Sequence, residues 1–418
     1  MLAEGWKTKK LRDILSSVDA GVSVNGEDRA TKSDEYGVLK ISAVTEGIFR
    51  PHENKAIRSD ELARAAINPS KDCILISRSN TEALVGASAY VSQDHKNLFL
   101  PDKLWQLRAS CDEQTHMRWL YYWLASDSTR SALSKLATGT SGSMKNISKS
   151  QLLALDIKVP PIHEQRRIAH ILSTWDQAIA TTERLLANAC TQRKTLTNAL
   201  FVHGRHSSMT THGWKFADLD EVFERVTRRN TTANSNVLTI SGTRGLVSQR
   251  DYFNKSVASE NLSGYTLIER GEFAYNKSYS AGYPMGAIKP LTRYDQGVVS
   301  SLYICFRLRD GVEADADFFR HYFEVGMLNE GLSGIAQEGA RNHGLLNVGV
   351  GDFFKLRLHI PDVTEQRRVA AILNMAEQKE QLITAQLDKL RDEKKALMSQ
   401  LLTGKRRVRL PADEAAHA

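Results

Sequence analysis

The apolar positions along the chain pick out two long stretches. Residues 168, 172, 175, 179, 182, 186, 189, 193, 196 and 200 alternate steps of four and three, and eight of these ten are apolar, Thr182 and Arg193 being the exceptions. That spacing belongs to a helix burying one stripe against a partner helix. Adding 201 gives Val369, Leu373, Ala376, Glu380, Ile383, Leu387, Leu390, Lys394, Leu397 and Leu401, again eight apolar, with a basic residue at the step of Arg193. Neither stretch holds Pro or Gly before Gly204 and Gly404, which fit helix stops. Asp362 with Glu365 three residues later suits the start of the second helix, whereas the first has Pro161 and Glu164. At ~1.5 Å per residue each helix runs roughly 55–60 Å. A single apolar stripe needs cover, and the other copy is the natural partner. The pattern predicts an antiparallel two-helix coiled coil acting as a rigid spacer.

The remaining sequence reads as mixed α/β. β-Branched runs at 38–42, 73–77 and 298–308, separated by Gly, Asn and Asp, predict strands and turns. Residues 114–136, with Trp119, Leu120, Trp123 and Leu133, predict a helix, and 315–328 its counterpart. The counterpart is one part of a repeat of the whole plan. GWKTKKLRDILSSV at 5–18 matches GWKFADLDEVFERV at 213–226, and 38–42 matches 237–241. Ile76-Ser77-Arg78-Ser79 matches Tyr275-Asn276-Lys277-Ser278, and PPIHEQRRIAHIL at 160–172 matches PDVTEQRRVAAIL at 361–373. The expected fold is therefore α+β: two pseudo-repeated mixed α/β domains, 1–160 and 207–360, separated by the coiled coil of helices 161–206 and 361–404. Residues 405–418 form a basic, then polar, tail.

Composition narrows the class. Hydrophobic residues at 41% and charged residues at 25% suit a folded chain. The start lacks the apolar core of a secretory signal and no apolar run reaches membrane-spanning length, so a cytoplasmic protein without membrane contact is expected. Cys73, Cys111, Cys190 and Cys305 are scattered without C-x-x-C, suggesting neither a disulfide framework nor a zinc site. The excess of 56 basic over 48 acidic residues favours a polyanionic partner without requiring one.

The twin starts, ILISRSN and AYNKSYSAGYP within the domains, TGTSGSMKNIS before the first helix, and the twin Glu-Gln-Arg-Arg openings closely resemble the specificity subunits of type I restriction-modification systems. The resemblance covers the whole chain. It implies two target-recognition domains, each reading one half of a split, asymmetric target in double-stranded DNA, with helices that set the gap. It also implies two modification (methyltransferase) subunits packed around the helices and restriction or motor subunits beyond them. No cofactor is implied on this chain; S-adenosylmethionine, ATP and magnesium are expected on the partners.

Candidate DNA contacts occupy matched places in the repeat. Arg78 with Ser79, and Lys277 with Asn276 and Ser278, follow a predicted strand and can bond phosphates or base edges. Thr140, Ser141, Lys145 and Asn146 lie in a Gly/Ser-rich loop suited to a phosphate cradle, with Arg341 and Asn342 in its counterpart. Arg244, Tyr275, Tyr279 and Tyr283 are candidates for shaping a DNA face of the second domain. Glu164, Gln165, Arg166 and Arg167, with Glu365, Gln366, Arg367 and Arg368, are read as helix-opening and subunit-contact residues, the carboxylates meeting the helix dipole.

Several chemistries lack their motifs. Gly404-Lys405 is followed by Arg406, not Ser or Thr, so no nucleotide phosphate loop forms. Val159-Pro160-Pro161-Ile162 lacks both ends of the adenine-methyltransferase run. His163-Glu164 has Arg167 where a zinc motif needs its second histidine. A DNA-recognition module, a protein-binding coiled-coil scaffold and an enzyme remain distinct readings. The missing motifs weigh against the enzyme, and the resemblance favours DNA recognition.

Overall fold

A computed structural model describes residues 4–109, 114–139, 144–203, 214–242, 244–253, 261–280, 282–338 and 346–408. The chain divides into two compact units: Met1–Glu183 with Gln386–Ala418, and Arg184–Ala385. Each long helix contributes one half to each unit.

In the first unit the central strand, Cys73–Ser77, is buried at all five positions, which explains its continuous apolar run. It lies between Leu104–Ala109 and Ser88–Val91, and Leu15–Ala20 adds outside Leu104–Ala109, all antiparallel. Alternation along the strands divides the core. Ile74, Ile76, Trp105 and Leu107 face a cluster with Trp119, Leu120 and Leu172, while Cys73, Leu75 and Leu104 face a second with Leu39 and Val44. The helix predicted over 114–136 forms as two, Met117–Ala125 and Asp127–Leu136. They part at Ser126, which is extended (φ −65°, ψ 145°) and caps the second.

The second unit repeats the plan. Phe223–Arg225, Ile304–Leu308, Phe273–Asn276 and Ala287–Pro290 pair in the same first–fourth–second–third order as the first unit's sheet. The run predicted over 298–308 is two strands, Gln296–Val299 and Ile304–Leu308, parted by a turn. Here the core is aromatic: Phe273 and Phe306 stack at 5.5 Å, and Phe223 meets Phe319 edge-on at 4.8 Å. Ala316–Glu324 supplies Phe318, Phe319, Tyr322 and Phe323, the counterpart of Met117–Ala125.

Each unit also has a two-stranded ribbon at its base, Lys7–Lys10 with Asp156–Val159 in one and Lys215–Asp218 with Arg357–Ile360 in the other. The ribbons lead into the long helices, Ile162–Asn198 and Val363–Leu401. Every predicted seam position is buried or half-buried. Within each unit the helix segments run antiparallel. Asp176 pairs with Lys394 and Glu183 with Arg391 (2.7 Å) in the first unit; Arg193 pairs with Glu380 (2.8 Å) in the second. The two basic interruptions of the seam thus each meet a carboxylate. Asp362 Oδ1 accepts the Glu365 N–H at 2.9 Å, as its spacing predicted. Gly404, at φ 72°, follows the end of the second helix, whereas Gly204 lies outside the described residues. No helix among the described residues is long and apolar enough to cross a membrane.

The Glu-Gln-Arg-Arg runs hold domain and helix together. Gln165 is 0% exposed and Gln366 2%. Gln165 Oε1 accepts the His116 N–H (2.8 Å), and its Nε2 donates to the carbonyls of Gln114 (3.0 Å) and Pro160 (2.9 Å). Gln366 does the same for the Asp315 N–H (3.0 Å) and the Pro361 carbonyl (2.9 Å). Buried Glu164 accepts from Trp6 Nε1 (3.3 Å) and pairs with Arg407. That consumes Glu164, Gln165 and Gln366 inside their own units, in place of a subunit-contact surface. Arg166, Arg367 and Arg368 stay exposed, and Arg167 and Glu365 half-buried.

Replacing Gln165 by Leu should lower the unfolding free energy of the first unit by about 1–3 kcal/mol, because three backbone groups lose their partner. Leu172→Ala, emptying a fully buried seam position, should cost about 2–5 kcal/mol. Leu185→Ala, on an exposed position, should stay within ~0.5 kcal/mol. Denaturant titration followed by circular dichroism checks all three.

Candidate nucleic-acid interface

The buried strand Cys73–Ser77 delivers Arg78 at its end. The Arg78 N–H donates to the Lys103 carbonyl (3.0 Å), and its own carbonyl accepts from Ile147 (2.9 Å). Its Nε donates to the Asp102 carbonyl at 2.7 Å, and one terminal nitrogen lies 3.6 Å from the Asp102 carboxylate. The side chain nevertheless stays 34% exposed. Arg78 is thus aimed by one edge of its guanidinium.

Ser79–Asn80 pairs antiparallel with Lys145–Asn146, Ser79 opposite Asn146 and Asn80 opposite Lys145. The structure therefore joins three of the sequence candidates, Ser79, Lys145 and Asn146, on one short ribbon, with Arg78 immediately before it. Ser79 is buried, so the partly exposed polar side chains here are those of Arg78, Asn80, Lys145 and Asn146. Lys145 Nζ reaches the Gly139 carbonyl at 3.5 Å. Thr140 and Ser141 lie outside the described residues. The loop after Asn80 is pinned by Arg130, which donates to the carbonyls of Val85 (2.7 Å) and Ala83 (2.9 Å), and by Ser134 to Glu82 (3.0 Å).

In the second unit the Lys277 carbonyl accepts from Leu346 at 2.9 Å, the same bond as Ile147 to Arg78 with both residues 199 further on. Asn276, Lys277 and Ser278 are half-buried, and Asn276 Oδ1 accepts the Ser278 N–H at 3.2 Å. Arg341 and Asn342 lie outside the described residues. Arg244 is exposed at the end of the hairpin Leu238–Ser241 and Gly245–Ser248. The segment following Ser278 reaches that hairpin, because the Tyr283 hydroxyl donates to the Gly242 carbonyl at 2.9 Å.

The tyrosines separate. Tyr275 belongs to the core, stacked on Phe353 at 5.2 Å with its hydroxyl on the Met285 carbonyl (2.8 Å). Tyr283 is held by its bonds, and burial together with the neighbouring Glu324 raises its hydroxyl above the usual tyrosine range. Of the three, only Tyr279, 63% exposed, stands out on the surface. Burial also pushes the Cys73 thiol up to about 11 and that of Cys305 to about 12, so both are inert core residues.

Two features escaped the sequence reading. Asp102 carries no signal beyond being an acid in a turn. Lys289 and Glu324, which hold Tyr283, were signalled only by a lysine inside an apolar strand, Ala287–Pro290.

Residues 3–189 match the family model described as "Type I restriction modification DNA specificity domain". The chain is 27% identical over 165 residues (39% of it) to the type I restriction enzyme EcoEI specificity subunit of Escherichia coli. It is 25% identical over 224 residues (51% of it) to the EcoKI specificity subunit of Escherichia coli strain K12. These matches span 28% and 45% of the relatives' own lengths, so less than half of either. The fold extends further: the crystal structure of a type I restriction-modification S subunit from M. genitalium superposes with a TM-score of 0.55 at 17% identity, covering 97% of both chains. Residues 3–189 are thus similar to that specificity domain, its plan is repeated in the second half, and the fold of the whole chain is that of the S-subunit structure.

Proposed function

We propose that this chain is the sequence-specific DNA-binding subunit of a type I complex, each unit reading one half of a bipartite, asymmetric target. The observation that carries the reading is one sheet plan built twice, with a basic residue at the same strand end, Arg78 and Lys277, on otherwise different side chains. Equivalent scaffolds with different surface residues suit two half-sites of different sequence. Lys and Arg on phosphates would supply affinity, and groups at base edges the discrimination. Arg78, held through Nε, keeps its terminal nitrogens at a partly exposed edge, the geometry that recognises guanine bidentately.

In this reading the long helices set the gap between half-sites and present Arg166, Arg167, Arg367 and Arg368 to two modification subunits. Restriction or motor subunits join that assembly. The chain itself performs no catalytic step; S-adenosylmethionine, ATP and magnesium act on its partners.

Methylome sequencing of a host expressing the chain with its cognate modification subunit should reveal a split adenine-methylated motif. Exchanging residues 19–138 for those of another family member should change one half of that motif and leave the other. An assembled complex with no chain-dependent motif would favour a scaffold instead. In purified complex, Arg78→Ala should weaken cognate binding about ten- to hundredfold. Lys277→Ala should weaken binding to cognate and unrelated duplex alike and lower the salt slope by about 1, both read by fluorescence anisotropy.

A further inference from the structure

Lys289 lies in the strand Ala287–Pro290 with a side chain only 10% exposed, and pairs with Glu324 at the end of the helix Ala316–Glu324. Its Nζ donates to the Tyr283 hydroxyl (2.9 Å) and to the Gly242 carbonyl (2.9 Å). Tyr283 donates to that same carbonyl at 2.9 Å and contacts Glu324 Oε1 at 2.7 Å. Lys289 also stands over the Tyr283 ring, 4.8 Å from its centre. Two side chains, Lys289 and Tyr283, thus converge on one backbone oxygen, and Glu324 stands against both of them. The fit leaves no room: a Cβ on Gly242 would meet the Tyr283 ring at 2.8 Å.

An ion pair whose acid is 41% exposed adds little stability, because water screens it. What this one supplies is a fixed place for one point of the backbone. Gly242 follows the strand Leu238–Ser241, and Arg244 stands exposed just before the returning strand Gly245–Ser248. In the first unit the Tyr121 hydroxyl, from the helix Met117–Ala125, donates to the carbonyl of Gly47 (φ 77°), in the long connection between the strands Gly37–Leu39 and Asn54–Ala56.

We propose that Lys289, Glu324 and Tyr283 are positioning residues for the second half-site: they fix the Gly242 carbonyl and so the hairpin end that offers Arg244 to the DNA. The inference rests on the recognition reading above and adds which elements of the second unit carry its specificity. Arg244 is the contact, and the three groups act through it.

The test uses the full chain assembled with its modification subunit, and three fluorescent duplexes: both half-sites intact, the first scrambled, the second scrambled. Glu324→Gln removes the charge and keeps the shape. Tyr283→Phe removes one hydroxyl and leaves the ring against Gly242, a milder change should Glu324→Gln fold poorly. Either substitution should reduce the preference for an intact over a scrambled second half-site about tenfold, leaving first-half preference unchanged. Arg244→Ala should produce a loss of the same size, and adding Glu324→Gln to it should cost nothing more. Additive losses, an equal fall at both half-sites, or unchanged second-half preference would each overturn the proposal. If the unaltered complex shows no preference for either half-site, the recognition reading fails and this inference with it.

Discussion

A helix of 37 or 39 residues with one apolar stripe must be covered along its length, and everything else in the chain is arranged around that requirement. Within each unit the cover is the antiparallel segment of the other long helix, joined by the α/β domain's own core. Leu172 and Leu373 show the joint most clearly: both are seam positions, both are fully buried, and both belong to the cluster that packs the domain's sheet. Sheet, domain helix and long helix therefore share one core. The charged interruptions follow the same rule, since Arg193 and Lys394 could not sit half-buried in a seam without Glu380 and Asp176.

The long helices were the most legible part of the sequence, because a period sustained over ten steps has no other reading. Strands were legible where burial made them continuous, as at Cys73–Ser77, and merged where a turn lacked strong punctuation, as between Val299 and Ile304. The helix over 114–136 hid its break because Ser126 reads as an ordinary helical residue until its extended backbone is seen. Of the candidate site, the repeat foretold one placement: the matched basic residues Arg78 and Lys277 sit at matched strand ends. What could not be read was what holds them. The partners of Arg78 and Tyr283, Asp102 and Glu324, are 24 and 41 residues away, and nothing local marks them. Nor did the Glu-Gln-Arg-Arg runs announce that their glutamines point inward.

The two units reach one topology through different cores. Aliphatic side chains and tryptophan fill the first, and a lattice of phenylalanines the second. Aromatic pairs hold their geometry through ring orientation as well as area. Divergence has gone far inside the domains while the ribbons, the helix openings and the seam kept their form.

That contrast has a cause in the buried glutamines. Gln165 bonds the Gln114 carbonyl, the His116 N–H and the Pro160 carbonyl, and Gln366 bonds the Asp315 N–H and the Pro361 carbonyl, all of them main-chain groups. A socket that grips only the main chain is blind to the side chains of whatever is plugged into it. Any domain that brings a helix start to the same place is accepted without renegotiating the joint, so the domain's side chains can change while the chassis stays untouched.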